Sequence, residues 1–322
     1  MKQTLYQIDS KGKIREWTIS AYETKFGAEI CVEAGIHQGK MITSKTPIGV
    51  GKNIGKANET TPLEQAESEA WSTIDKKLTK GYVKNICEAT SSAILGSGIP
   101  APMLAQKYDA TLKQKGSKNL DVLNLIKKDV VVQDKLDGNR CLAYVTATEV
   151  KLYTRKGKLF PPIPHIEKGL RECYDQRSED LTIEEYWVDG ELFTQKHSFN
   201  KVNGVLKKKT PSTDDELVLR DVEYFVYDLV MDLNYTQRHF HLHNFTNGDN
   251  CVKKVKTRLV MASEDALRVQ FEEALTRGQE GLMIRQLDMP YQSKRTWQLM
   301  KYKAFEDAEF KVVGFKQSTT GD

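Results

Sequence analysis

Paired cysteines are what this sequence most plainly lacks. Its five cysteines, Cys31, Cys87, Cys141, Cys173 and Cys251, are odd in number and scattered, with no Cys-x-x-Cys among them. That argues against a disulfide framework and a cysteine zinc site, and for a reducing compartment; a cytoplasmic location is expected. Long apolar runs are missing too. No stretch of roughly 18 apolar residues occurs, so no membrane partner is expected. The opening MKQTLYQIDSKGK has no apolar core of signal-peptide length. Internal repeats and low-complexity tracts are also lacking. Excess charge of one sign is small: 48 Lys and Arg against 44 Asp and Glu give a net charge of +4. An anionic partner is compatible with that balance but not required by it.

What is present falls into segments of different texture. Residues 1–84 read as strands followed by one helix. TLYQIDSKGKIREWTISAY has β-formers on both sides of Lys11-Gly12, as a hairpin does. AEICVEAG and GKMITSKTPIGV read as further strands. Thr61, Pro62 and Glu64 then form a capping-box start with proline at the first helical position. Leu63, Ala66, Ala70, Ile74 and Leu78 recur at helical spacing, and Gly81 closes the helix. Residues 85–100, small and rich in Gly and Ser, read as a linker that packs in part. From Ala101 short β-branched and aromatic runs alternate with helical stretches such as SEDALRVQFEEALTRG. The pattern is α+β with mostly adjacent strands.

One stretch carries chemistry. VVQDKLDGNRCLAYV places Lys135 in an apolar strand, followed at once by Asp137, Gly138 and Arg140. Alone, such a lysine is more often a strand residue that snorkels to solvent. Its company changes that reading. VDGELF puts Glu191 after a second Asp-Gly at the end of a strand. EGLMIR brackets an apolar strand with Glu280 and Arg285, and LMKYKAF puts Lys301 and Lys303 on one strand face. FVYD sets Tyr227 in a buried-looking strand. A lysine, two carboxylates, an aromatic ring and further cations are what nucleotidyl transfer to lysine requires. A free lysine, with a pKa of about 10.4, is protonated near neutrality and cannot attack phosphorus. Nearby cations and desolvation lower that pKa, and the same cations can hold the phosphate. Glu280 suits Mg²⁺, and the Asp-Gly after Lys135 would let the backbone turn so that Arg140 reaches the cavity.

KLDGNR matches the Lys-x-Asp-Gly-x-Arg signature of covalent nucleotidyltransferases. With the other motifs in order, and with PMLA at Pro102–Ala105 as a lead-in, the chain resembles ATP-dependent DNA ligases of the small phage type over about residues 101–315. The resemblance implies a mixed α+β adenylation domain of antiparallel sheets over 101–308, a nucleotidyltransferase and ATP-grasp-like ligase fold. It implies that Lys135 carries AMP, that Gln133 sits at the adenine edge, and that Tyr227 stacks on adenine where many relatives have phenylalanine. Glu191 would bind the ribose, and Lys301 and Lys303 the AMP phosphate. Arg140 and Arg155 would face the 5′-phosphate of a nick, Arg140 also meeting the nucleotide, and Glu280 would assist the metal. ATP and Mg²⁺ are thus the expected cofactors, nicked duplex DNA the expected partner, and a monomer the expected state. An RNA ligase, an mRNA-capping guanylyltransferase and a non-catalytic nick-binding module remain open. An NAD⁺-dependent ligase would need a different N-terminal extension.

The first 84 residues resemble a WGR domain, a strand-rich nucleic-acid-associated module, in layout and in SEAWSTIDKKLTKGY. The Trp-Gly-Arg tripeptide is replaced by EAGIHQGK, and Lys40, Lys45, Lys52 and Lys56 are its phosphate-contact candidates. EFKVVGFKQSTTGD, residues 309–322, resembles the first strand of a truncated OB-fold. Self-adenylation by these residues alone is therefore expected to be weak or absent, with AMP still held. Two further patterns have plain readings. His239, His241 and His243 alternate as on a strand, where a zinc site is tempting but a solvated strand or loop is the simpler reading. Lys207–Lys209 read as a solvated loop.

Overall fold

The structure is a computed structural model. It describes residues 1–9, 11–89, 93–108, 129–177, 183–208, 210–245, 251–261, 263–303 and 314. The segment read as the start of an OB-fold lies outside the described residues apart from Gly314, as does Lys209. The chain divides into a unit from Met1 to Ala101 and a unit from Pro102 to Glu306. No helix among the described residues is long and apolar enough to cross a membrane.

The first unit is one antiparallel sheet and one helix. Strands β1 (Lys2–Ile8), β2 (Ile14–Thr24), β3 (Gly27–Ile36) and β4 (Met41–Ile48) lie side by side in chain order. The β1–β2 turn is held by Asp9, whose carboxylate accepts the backbone N–H groups of Lys11 and Lys13 at 2.8 and 3.0 Å. Helix α1 (Pro62–Thr79) starts with the full capping box. Thr61 accepts from Glu64 N at 3.2 Å, and Glu64 accepts from Thr61 N at 2.7 Å. Ala66, Ala70 and Ile74 are buried against Leu5, Trp17, Ile19 and Ala21 of the sheet. The small alanines let the helix approach the strands closely. Gly81, at φ +89°, ends the helix in the left-handed conformation that a side chain disfavours. The stretch read as a linker then folds back on its own unit. Val83 bridges to Tyr6, Gly96 N donates to Thr79 O at 3.3 Å, and Ile99 is buried.

The second unit holds two five-stranded sheets. One runs β11 (Val252–Lys254), β10 (Glu223–Leu229), β9 (Glu185–Phe193), β7 (Asn139–Thr146), β8 (Val150–Thr154). The other runs β12 (Thr257–Val260), β6 (Val130–Lys135), β13 (Gly281–Gln286), β14 (Arg295–Lys303), β5 (Leu104–Lys107). Two expectations are corrected here. The sheets are not wholly antiparallel, because β10–β11 and β14–β5 pair in parallel. Nor are the strands mostly neighbours in sequence: β6 lies between β12 and β13. The helices α2 (Pro164–Asp175), α3 (Phe199–Leu206), α4 (Thr213–Arg220), α5 (Tyr235–Phe245) and α6 (Glu264–Thr276) complete the unit.

Period-two alternation sorts the side chains of both sheets. Val130 and Val132, Leu282 and Ile284, and Met300 form a core with Leu267 and Ala274 of α6. Cys141, Ala143, Val145, Val188, Leu192, Tyr224 and Val226 form the core of the other sheet with Leu170, Val202, Val218 and Leu242 of the helices. The residues between those positions, Gln133, Lys135, Arg140, Glu191, Met283, Arg285 and Lys301, face a common cavity. The apolar set of each strand thus fixes which polar residues meet.

The histidine pattern is also corrected. His239, His241 and His243 lie on helix α5, not on a strand or loop. Alternate residues share a face only at period two; on a helix His241 points away from the other two. His239 stacks on Tyr235, and His243 meets Lys254.

Candidate active site

Lys135 is the last residue of β6. Gly281 of β13 pairs with it across the sheet, and Lys303 of β14 pairs with Gly281. Glu280, just before Gly281, donates its backbone N–H to Lys135 O at 3.1 Å. Its carboxylate then accepts from the amines of both Lys135 and Lys303. Burial pushes the Glu280 carboxyl up, but its bonds to the two lysines outweigh burial and hold it below its usual range. Gly281 is needed where it is: φ is +145°, and a Cβ there would come within 2.1 Å of Tyr302 O.

Residues 136–138 carry the chain from one sheet to the other. The sequence suggested that Gly138 serves to turn the backbone. Gly138 does lie at a bend between the two strands, and Arg140 lines the cavity; space constrains the glycine as well. A Cβ on Gly138 would lie 2.6 Å from Leu192 O and 2.7 Å from the Glu191 side chain, and its φ is not in the left-handed region. Glycine here lets Glu191 come close to the Lys135 segment.

Asp189-Gly190 does not stand at the end of a strand. It lies within β9, with Gly190 between Cys141 of β7 and Val226 of β10. A Cβ on Gly190 would come within 2.6 Å of Phe225 O and of the Tyr224 ring. Asp189 is buried and receives Arg140 through two parallel bonds, from Nε at 2.9 Å and Nη2 at 2.5 Å. Tyr291 Oη also donates to Asp189 at 2.7 Å and accepts from Met103 N at 2.9 Å. The Pro102–Ala105 segment is tied to the site in this way. Glu191 lies opposite Arg140 in β7. Burial pushes its carboxyl up to about 7, against the pull of Arg140 and Lys135 and with the push of Asp189 and Glu280.

Tyr227 sits at a bulge. The β9–β10 register shifts between Val226 and Asp228, which re-aims the residue between them. Its ring faces the cavity, with the Arg140 and Arg285 guanidiniums 5.7 and 5.4 Å from its centre. Gln133 is buried beside it. Its Oε1 accepts from Arg285 Nε at 2.8 Å, and its Nε2 donates to Tyr235 Oη and Thr257 Oγ1, each at 3.0 Å. Arg285 donates through Nη1 to Asp228 at 2.6 Å, and Arg238 donates to the same carboxylate from Nε at 2.7 Å and Nη2 at 3.2 Å.

The cavity has a volume of about 240 Å³. Gln133, Lys135, Arg140, Arg155, Glu191, Tyr227 and Lys301 all line it, and Glu280 and Lys303 join through the bond to Lys135. Arg155 and Lys301 bring positive charge. Partial desolvation by the cavity wall lowers the pKa of both, and neighbouring cations lower it further: Arg140 and Arg295 for Arg155, Lys135, Arg295 and Lys303 for Lys301. Among the described residues no three His, Cys, Asp or Glu side chains converge as a metal cluster. The Glu280 carboxylate beside the Lys135 and Lys303 amines nonetheless fits Mg²⁺, which takes one or two carboxylates and completes its shell with phosphate oxygens and water. Sequence reasoning did not assign roles to Arg285, Asp228, Arg238, Asp189, Tyr291 or Arg295. For Arg285 a signal was present: a charged residue two positions after Met283 in an apolar strand shares its face. For Arg295 there was none.

The family model described as ATP dependent DNA ligase domain matches residues 102–303. A DNA ligase from African swine fever virus is 26% identical over 308 residues, covering 91% of this chain and 66% of that protein. A DNA ligase from Enterobacteria phage T4 is 24% identical over 255 residues, covering 66% of this chain and 50% of that protein. The chain therefore spans less than two thirds of the length of these relatives. The structure of the ATP-dependent DNA ligase from bacteriophage T7 with ATP superposes with a TM-score of 0.48 at 16% identity, covering 63% of this chain and 68% of that one.

Proposed function

This chain belongs to the ATP-dependent DNA ligase domain family, and on that footing we propose that it seals nicks in duplex DNA with ATP as AMP donor. The observation that carries this reading is Lys135, at a strand end inside a cavity, its amine bonded to Glu280, with Arg140, Glu191, Tyr227 and Lys301 drawn from four other strands. In the first step Lys135 Nζ attacks the α-phosphorus of ATP. A phosphorus–nitrogen bond forms, the bond to the β-phosphate oxygen breaks, and pyrophosphate leaves. The amine must first lose a proton and let go of Glu280, a carboxylate that Lys303 can retain. A 5′-phosphate oxygen of the nick then attacks the AMP phosphorus, forming a phosphoanhydride as the phosphorus–nitrogen bond to Lys135 breaks; the 3′-hydroxyl, losing its proton to water, attacks the 5′-phosphorus, a phosphodiester forms and AMP leaves.

The surrounding residues have distinct tasks. Tyr227 stacks on the adenine and Gln133 meets its edge. Glu191 accepts from the ribose hydroxyls. Lys301 and Lys303 hold the AMP phosphate and stabilise charge as it builds there. Arg140 and Arg155 face the 5′-phosphate, with Arg140 aimed by Asp189. Glu280 is the residue that would hold Mg²⁺, and the metal would supply Lewis-acid neutralisation of phosphate charge.

We read the N-terminal unit as WGR-like, supported by its four-stranded antiparallel sheet and single helix. Of its phosphate-contact candidates, Lys40 and Lys56 are exposed with no ion-pair partner among the described residues, whereas Lys45, also exposed, and Lys52 are ion-paired to Glu29 at 2.9 Å and Glu69 at 3.0 Å. The former pair is the better assignment.

The test is joining of a nick whose 5′-phosphate already carries AMP, which removes any limit set by the first step. A joined strand with Mg²⁺ is the expected result. Failure to join, with the protein folded and the nick bound, would overturn the reading.

A further inference from the structure

A glutamine side chain has two ends of similar shape and opposite use: the oxygen accepts and the nitrogen donates. Gln133 is locked at both. Its oxygen faces Arg285 Nε at 2.8 Å, and a guanidinium has no acceptor, so that end cannot be the nitrogen. Its nitrogen faces the hydroxyls of Tyr235 and Thr257, each at 3.0 Å. Both hydroxyl protons are directed elsewhere. Thr257 Oγ1 donates to Val255 O at 3.1 Å, and Tyr235 Oη to Tyr227 O at 3.5 Å. Each hydroxyl therefore receives from Gln133. Arg285 is fixed in turn by Asp228, and Asp228 by Arg238. The lock is dry: Gln133 is 2% exposed, Arg285 3% and Asp228 1%.

The capacity left over can be counted. Both N–H groups of the amide are engaged, and one lone pair of its oxygen is taken by Arg285. One acceptor lone pair remains on a side chain that lines the cavity. We propose that Arg285 is a specificity-determining positioning residue, holding Gln133 so that the cavity takes a 6-aminopurine nucleotide and rejects a 6-oxopurine. This rests on the nucleotide-binding reading above. A 6-amino group donates to the free lone pair. A 6-oxo group sets oxygen against oxygen, and the locked amide has no N–H to offer instead.

Two substitutions loosen the lock from opposite ends. Arg285→Met removes the donor that pins the oxygen, yet leaves Asp228 paired with Arg238, so no buried carboxylate is stranded. The amide can then flip. Thr257→Val removes one close receiver of the nitrogen without touching Arg285, leaving one N–H with only the distant Tyr227 carbonyl at 3.4 Å and so available to a ligand.

The experiment is equilibrium titration of the whole chain with AMP and with IMP, for the parent and both variants. The parent is expected to prefer AMP by about tenfold or more, and each variant to bring the ratio to within about threefold, consistent with the cost of one unsatisfied buried polar group. A purely structural role would weaken both nucleotides alike and leave the ratio intact. An unchanged ratio in both variants, or no preference in the parent, would overturn the inference while leaving the ligase reading in place. Failure of the parent to bind either nucleotide would overturn the nucleotide reading and this inference with it.

Discussion

The two ends of the cavity, a base end and a phosphate end by the assignment proposed above, are built on opposite plans. At the base end, Gln133, Arg285, Asp228 and Arg238 are buried, and the hydrogen bonds among them leave little freedom. At the phosphate end, Arg155 is exposed and Lys301 half-exposed, and neither head group has a hydrogen-bond or ion-pair partner among the described residues. Lys135 and Lys303 share one carboxylate, Glu280. Recognition of a base wants donors and acceptors that do not move, because specificity comes from what a wrong ligand leaves unpaired. Passing a phosphoryl group wants partners that can be exchanged, because the charge they meet changes at each step. The difference predicts that damage to the base end appears as lost stability, and damage to the phosphate end as lost chemistry.

The largest stability effect should follow Asp228→Asn, which strips two buried arginines of their shared carboxylate. Removing one partner from a buried ion pair costs about 3–5 kcal/mol, and a denaturant melt would read it. A loss below about 1 kcal/mol would show that the base end is not the rigid part. Lys301→Ala should do the reverse. Transfer of AMP is expected to fall on the order of a hundredfold, the scale of losing one charge-stabilising donor. The midpoint of unfolding should hold or rise, since Lys301 sits among cations. Single-turnover rates beside a melt would decide this. Glu191 links the two ends. Its carboxyl, pushed up to about 7 by burial, favours the folded state fully below the ordinary carboxylate value, and that contribution is lost as pH rises to about 7. Glu191→Gln should flatten this decline, on the order of 1–3 kcal/mol between pH 4.5 and 7, in melts followed across pH. The smallest effect is a control outside the cavity. Thr61→Ala removes the cap of α1 and should cost about 1 kcal/mol with no change in nucleotide binding.

Much of this was legible in the sequence where the signal is local. The capping box at Thr61 and Glu64, the apolar stripe of α1 and the hairpin around Gly12 depend on neighbours a few residues apart. So does the Lys135 signature. The misreadings share a cause: a short pattern compatible with two periods or two glycine roles. The alternating histidines fit a strand until Tyr235, Arg238 and Leu242, all buried and spaced three and four residues apart, are seen to need a helix. Asp189-Gly190 reads as a strand end because glycine often closes one, yet it lies within β9 and Gly190 serves close packing. The remainder was beyond local reading. The Arg285–Asp228 pair spans 57 residues, and the Tyr291–Asp189 bond spans 102. Nothing near either residue says which partner the sheets will bring. The parallel pairing of β5 with β14 is of the same kind, since it joins residues at least 190 positions apart.

The most direct measurement is intact-protein mass spectrometry after incubation with ATP and Mg²⁺, the parent beside Lys135→Ala. A mass gain of one AMP on part of the parent population, and none on the variant, is the predicted result. An equal gain on both proteins would move the covalent chemistry off Lys135 and contradict it.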